Sequence, residues 1–303
     1  IMTNATHYED MDDETYFADP AIDQSQLKQF LRNPAEWGYG RLNPGTHTDT
    51  SAMRFGTAFH AYIMGTAPVV ALPEGETFTK KANREWRDEQ LESGAIIVSW
   101  DDMQKLERMK QNLIDDTPEL YDLIADGWCE NTIFWTDRKT GLRLKAKPDL
   151  IPRGTDYIVD FKTAQSASAD DFHREAIKYG YHIQALFYRQ AVAMTDPNLF
   201  ERTARMPKAC QFWVFEKTGA CDWQPFTISR DNPIEDMAKN ALRQALNGIA
   251  AMREKGEREG LGEGVDAAAR YAVRHGYPKQ PTEIEFDAGD LYRAERFAVG
   301  ASA

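Results

Sequence analysis

The segment that most constrains this chain runs from residue 130 to residue 162, where the apolar period drops to the twofold repeat of extended strands. ENTIFWTD (130–137) reads as a strand, RKTG (138–141) as a turn and LRLKAKPDLI (142–151) as the antiparallel partner. Alternation puts Leu142, Leu144 and Ala146 on one face and Arg143, Lys145, Lys147 and Asp149 on the other. After a turn at Pro152-Arg153-Gly154, a third strand over 156–162 sets Asp160 and Lys162 on one face and Tyr157, Val159 and Phe161 on the opposite one. Paired strands of this kind bring Asp149, Asp160 and Lys162 to one place.

Helices flank the strands. Asp23 and Ser25 are capping residues before a helix over 21–32 that buries Leu27, Phe30 and Leu31, with Pro34 beyond its end. AMRFGTAFHAYIM (52–64) is apolar on nearly every side, as a buried helix is. An amphipathic helix is expected over 101–116, with a short one after Pro118. Helices near 169–178 and 182–194, strands near 209–216 and 222–229, and a long helix over 232–254 follow. KGEREGLGEG (255–264) reads as a flexible connector, leading to a short helix over 265–275 and a strand near 283–287. The expected organisation is an acidic flexible arm (1–20), one catalytic domain (21–255) and a C-terminal extension (256–303) whose role the sequence leaves open.

With 42% hydrophobic and 11% aromatic residues, this is the composition of a folded protein. It has no apolar run that could span a bilayer. Its first twenty residues carry six carboxylates and no basic leader, so no membrane association and a cytoplasmic location are expected. Cys129, Cys210 and Cys221 are odd in number and widely spaced, which fits neither a disulfide framework nor a four-thiolate cluster. No GxxxxGK[ST] phosphate loop occurs, so no ATP is expected to be used. The net charge of −12 is unusual for a protein that handles nucleic acid, yet Arg138, Lys139, Arg143, Lys145 and Lys147 crowd together just before Asp149.

Two carboxylates converging on one point supply the oxygen ligands a hard cation such as Mg²⁺ requires, with room left for water and phosphate. A neighbouring lysine can orient a water or stabilise charge on phosphorus. His60 lies on an otherwise apolar helix and is either a satisfied core residue or a ligand. Gln184 and Tyr188 are four apart and share one helical face, for packing or for contact with a ligand. Glu130 is either a carboxylate supporting the ligands from behind or an exposed side chain.

The order of these groups is specific. Gly56-Thr57-Ala58-Phe59-His60, Pro148-Asp149, Asp160-Phe161-Lys162-Thr163 and Gln184-x-x-x-Tyr188 resemble the RecB-like branch of the PD-(D/E)xK nuclease superfamily. KPDLI, IVDFKT and YGYHIQALFY, with the opening SQLKQFLRNPAEW, resemble the RecE-type exonucleases (exonuclease VIII) over roughly residues 21–255. The resemblance implies an α/β fold, a mixed central sheet flanked by helices. It implies that His60, Asp149, Asp160 and the Phe161 carbonyl hold Mg²⁺, with Mn²⁺ as a possible substitute. Lys162 would assist the attacking water, and Gln184 and Tyr188 would lie beside the DNA backbone. The acid at 160 is aspartate where many relatives carry glutamate. The four-cysteine iron–sulfur cluster of some relatives is not expected.

The implied activity is degradation of one strand of linear duplex DNA, 5′ to 3′, leaving 3′ single-stranded tails for a single-strand annealing protein of RecT type. Alternatives are a structure- or site-specific endonuclease on the same core, or a DNA-end-binding module without catalysis. To keep a chain of −12 on DNA, a ring of three or four subunits is expected, with Arg143, Lys145 and Lys147 facing a central channel.

Overall fold

The computed structural model describes residues 5–9, 11–45, 50–202, 204–277, 280–281 and 283–291. The chain opens with strand β1 (Ala5–Tyr8) and helix α1 (Asp13–Ala18), followed by α2 (Gln24–Arg32), α3 (Pro34–Leu42) and α4 (Ser51–Met64). Next come β2 (Val69–Ala71), α5 (Lys81–Glu92), β3 (Ile96–Val98), α6 (Trp100–Asp116) and α7 (Pro118–Asp126). The strands β4 (Trp128–Cys129), β5 (Thr132–Thr136), β6 (Arg143–Ala146), β7 (Leu150–Ile151) and β8 (Tyr157–Ala164) form the middle. Then α8 (Ala169–Tyr179), α9 (Tyr181–Met194), β9 (Ala209–Glu216), β10 (Trp223–Ser229), α10 (Ile234–Arg258) and α11 (Gly264–His275) complete the order.

The expected α/β architecture is present. Five strands form the main sheet in the order β10-β9-β8-β7-β4. Only β8 and β9 run parallel in it, and α8 and α9 make the crossover that a parallel pair needs. One face packs Ile158, Phe212 and Val214 against α2, α9 and α10. The other packs Val159, Phe161, Trp213 and Phe215 against Phe55, Phe59, Leu106 and Met109 of α4 and α6. The apolar reading of α4 is thereby explained, since Phe55, Ala58, Phe59, Ala61 and Ile63 are all buried.

The hairpin read over 130–151 is divided between two sheets. Residues of β5 and β6 pair with each other and with β1, whereas β4 and β7 belong to the main sheet. The chain changes sheet at Lys147-Pro148-Asp149, where Pro148 has no N–H to give to a ladder. It changes again at Glu130, whose φ of 49° is left-handed.

Within the stretch read as a loose acidic arm, Ala5–Tyr8 form β1 and Asp13–Ala18 form α1. Strand β1 pairs with β5 from Ala5↔Trp135 to Tyr8↔Thr132, and Asp12 caps α1 by accepting the Thr15 amide at 2.7 Å. At the other end, the expected connector begins inside α10, which takes up its first four residues to Arg258, and only 259–263 lie between α10 and α11. Helix α11 folds back so closely that a Cβ on Gly256 would lie 2.3 Å from the Ala267 carbonyl oxygen, and one on Gly38 of α3 2.4 Å from that of Ala269. Ala268, Ala269 and Ala272 join the same core as α9 and α10, so this part of the extension is packed onto the domain. Residues 283–287 form no strand. Among the described residues, no helix is long and apolar enough to cross a membrane.

Candidate active site

The site lies where β7 runs out beside β8. Their ladder holds one pair, Leu150↔Val159, and Phe161 lies two positions further along the same edge of β8. With no strand opposite, its peptide groups are met by side chains. The Phe161 amide donates to Asp149 Oδ2 at 2.7 Å, and the Phe161 carbonyl accepts from His60 Nε2 at 3.1 Å. The second oxygen of Asp149 is 3.6 Å from His60 Nδ1.

Asp160 points to the opposite face of β8, toward α9. It is 1% exposed; Gln184 Nε2 donates to its Oδ1 at 2.6 Å, and Oδ2 pairs with the Lys162 ammonium. Lys162 in turn stands 4.9 Å above the Tyr181 ring. The four α9 and β8 groups therefore form one stack. Asp149 and His60 approach the same strand from β7 and α4. Tyr188 follows Gln184 by one turn of α9 and is close enough to Asp160 to feel its charge. Glu130 donates its amide to the Asp149 carbonyl at 2.9 Å, and its carboxylate adds to the negative field on Asp149 and His60.

This field sets protonation. Burial, reinforced by the Asp160 charge, holds the Asp149 carboxyl well above the usual carboxylate range. Burial holds His60 below the ordinary imidazole value, hence neutral. A carbonyl can only accept, so its Nε2 carries the proton and the Nδ1 lone pair faces Asp149. Burial alone would lower the Lys162 ammonium; Asp160 and Asp149 outweigh it and hold it above its ordinary value. Burial, then Asp160, keeps the Tyr188 hydroxyl protonated.

The donors suit a hard divalent cation: two carboxylates, a carbonyl oxygen and a neutral imidazole. Asp160 Oδ2 is buried and its partner is the Lys162 ammonium, so a cation bound there would share that oxygen with the lysine. Among the described residues, no three His, Cys, Asp or Glu side chains already stand together as a metal-binding group. Gln184, Lys162 and the Phe161 amide now occupy three of the four Asp149 and Asp160 carboxylate oxygens' directions, and ligation requires side-chain rotation there.

The three basic residues expected on a DNA-facing strand are engaged from within. Lys145 is 1% exposed and donates to the carbonyl oxygens of Tyr16 at 2.5 Å and Asp19 at 2.9 Å. Arg143 pairs with Asp19 at 3.0 Å, and Lys147 pairs with Asp13 at 2.7 Å. Alternation correctly separated Lys145 from Leu144, but both faces of β6 are covered, one by the core and one by α1 with the turn after it. The channel-facing role therefore fails for Lys145, which solvent does not reach. A cavity of about 760 Å³ beside His60 is lined by Glu9, Asp12, Asp13 and Glu130 with Lys147 as its cation, so its walls are mainly acidic.

Two residues at the site escaped sequence reading. Tyr181 carries the Lys162 ammonium on its ring, and its spacing to Gln184 and Tyr188 (i, i+3, i+7) was a legible sign. Lys28 of α2 donates to the Tyr179 carbonyl at 3.0 Å, and burial, aided by Lys162, pulls its ammonium down to about 8. Nothing in the sequence placed α2 beside β8.

Comparison with solved structures finds a crystal structure of a "Putative exonuclease" from Eubacterium rectale, at a TM-score of 0.52 and 14% identity, covering 93% of this chain and 98% of that one. At that identity the likeness shows the shared fold. No curated protein matches the chain. The family model described as a PDDEXK-like domain of unknown function matches residues 23–266, which span Asp149, the Asp160-Phe161-Lys162 triplet, His60 and Gln184, and the chain belongs to that family within the PD-(D/E)xK nuclease superfamily.

Proposed function

We propose that the chain is a Mg²⁺-dependent exodeoxyribonuclease that degrades one strand of linear duplex DNA. The observation that carries the reading is the convergence of Asp149, Asp160 and Lys162 at the point where β7 stops pairing with β8. Family membership supports nuclease chemistry. The RecE-like motifs support 5′ to 3′ polarity and a partner of the RecT annealing type.

Asp149, Asp160, the Phe161 carbonyl and His60 Nδ1 would hold the cation, which supplies positive charge beside the scissile phosphate. Lys162, kept protonated by two carboxylates, donates to a phosphate oxygen or to the attacking water. Gln184 fixes the rotamer of Asp160. Tyr188, with its proton retained, donates to the DNA backbone. A ring of three or four subunits remains our reading of how an acidic chain stays on DNA. Its channel would need cations other than Lys145.

End-labelled linear duplex and covalently closed circular duplex, each with Mg²⁺ or Mn²⁺, test the reading. Release of the 5′ label ahead of the 3′ label, with the circle intact, is the expected outcome. Cutting of the closed circle would assign an endonuclease, and no cleavage of any DNA would refute the proposal.

A further inference from the structure

The cations expected to meet DNA are neutralised by α1 and the turn after it, yet one group near the site has no such partner. Arg32 and Lys178 are exposed and, among the described residues, pair with no carboxylate. They line a cleft of about 260 Å³ together with Lys28, Tyr179 and His182. In a chain of net charge −12, a carboxylate-free cleft wall with three long cations is the exception. The acids that act on this region, Asp160 and Asp23 on Lys28 and Asp160 and Glu175 on Tyr181, lie outside the cleft lining.

The cleft is joined to the catalytic lysine by stacked rings. Tyr179, 42% exposed, lies 5.9 Å from Tyr181 at an interplanar angle of 29°, and Tyr181 carries the Lys162 ammonium on its ring. Lys178 stands 5.0 Å over the Tyr179 ring. Gly180 makes this possible. Its φ of 65° closes α8 and opens α9 without a gap, so both tyrosines reach the same side, and a Cβ there would lie 3.0 Å from Lys28 Cδ. Lys28 Nζ holds the Tyr179 carbonyl and so ties the backbone that carries the exposed ring to α2.

A row of cations without carboxylate partners, interleaved with an exposed, pre-stacked aromatic, is the chemistry that binds single-stranded nucleic acid, through phosphate contacts and base stacking together. The interior of a duplex offers phosphates but no free base face for Tyr179, whereas every base of an unpaired strand can offer one. We propose that the Lys28–Arg32–Lys178–Tyr179 cleft is a track for one unpaired DNA strand, leading to or from Lys162. The assignment rests on the nuclease reading for its direction, and its test does not depend on cleavage.

Fluorescence anisotropy with labelled oligo-dT, oligo-rU and a blunt duplex, in EDTA so that nothing is cut, reads the cleft directly. All three altered positions are exposed, and a melting curve for each variant checks that it is folded. Arg32→Glu with Lys178→Glu should weaken oligo-dT binding tenfold or more and lower the salt slope by about 1.4, two phosphate contacts on a single strand. Tyr179→Ala should weaken it about fivefold or more, while Tyr179→Trp retains affinity. Unchanged oligo-dT binding by the folded variants overturns the track, as does a loss confined to the duplex. A loss confined to oligo-rU reassigns the surface and overturns the DNA assignment. Should the wild type cleave DNA while the variants bind normally, the track alone fails. Should it cleave nothing while the variants lose oligo-dT, the nuclease reading alone fails.

Discussion

Gln184 donates to Asp160 across 2.6 Å and so ties α9 to the strand that carries the candidate metal carboxylate. The amide supplies one hydrogen bond to a carboxylate that is otherwise met only by Lys162. Removing such a support from behind a metal ligand lowers affinity or activity by roughly 10- to 100-fold. Gln184→Ala should show that loss in DNA cleavage rate, with the Mg²⁺ requirement shifted to higher concentration. An unchanged metal titration would place Gln184 outside the site.

Direct ligands should matter more. Asp160→Ala and Lys162→Ala are each expected to lower cleavage by about a thousandfold or more. Cation binding can also be read without activity. Mg²⁺ or Mn²⁺ should raise the melting temperature of the wild type, because a ligand that binds only the folded state stabilises it. Asp160→Ala should lose that shift.

Lys145 separates a structural cation from a DNA-binding one. Lys145→Met keeps the stem but leaves the Tyr16 and Asp19 carbonyls without their donor. Stability should fall by about 1–3 kcal/mol, measured by urea denaturation. DNA affinity per folded molecule should stay within twofold of wild type. A large affinity loss with stability intact would return Lys145 to the DNA face.

Lys28 has a folded value of about 8, below its ordinary 10.5, because burial and Lys162 disfavour its charge. Between those limits the folded state binds fewer protons than the unfolded state, so this group makes stability rise with pH. Its penalty is fully present below pH 8. Tyr16 and Tyr188 act oppositely at the alkaline end, since burial raises both hydroxyls. The gain should therefore appear from pH 8 to about pH 10, and Lys28→Met should flatten it in chemical denaturation.

Arg189 and Glu235 form a buried pair at 2.9 Å, 1% and 5% exposed, and Arg189 also donates to the Pro207 carbonyl at 2.8 Å. Breaking one side of such a pair costs about 3–5 kcal/mol because a charge stays buried alone. Glu235→Gln should show most of that loss in thermal or urea melts. Arg189→Met combined with Glu235→Leu should recover much of it.

Local pattern was sufficient for much of the chain. The twofold alternation around Asp160 and Lys162, the all-round apolar character of α4 and the i, i+4 spacing of Gln184 and Tyr188 are properties of single elements, and each element formed where its period placed it. The motif order identified the nuclease superfamily for the same reason, since it needs only chain order and strand faces. Which sheet a strand joins is a different matter. The stretch 142–151 alternates without interruption, and only tertiary pairing divides it at Pro148, shortens β7 to one pair with β8 and thereby leaves the Phe161 peptide to Asp149 and His60. The fate of Lys145 was equally non-local. Alternation assigns a side chain to a face and is silent on what covers that face; here residues 16–19, more than 120 positions earlier in the chain, cover it and satisfy the ammonium with carbonyls. Periodicity is a property of neighbours in sequence, whereas burial of a charge depends on partners that folding brings from far along the chain.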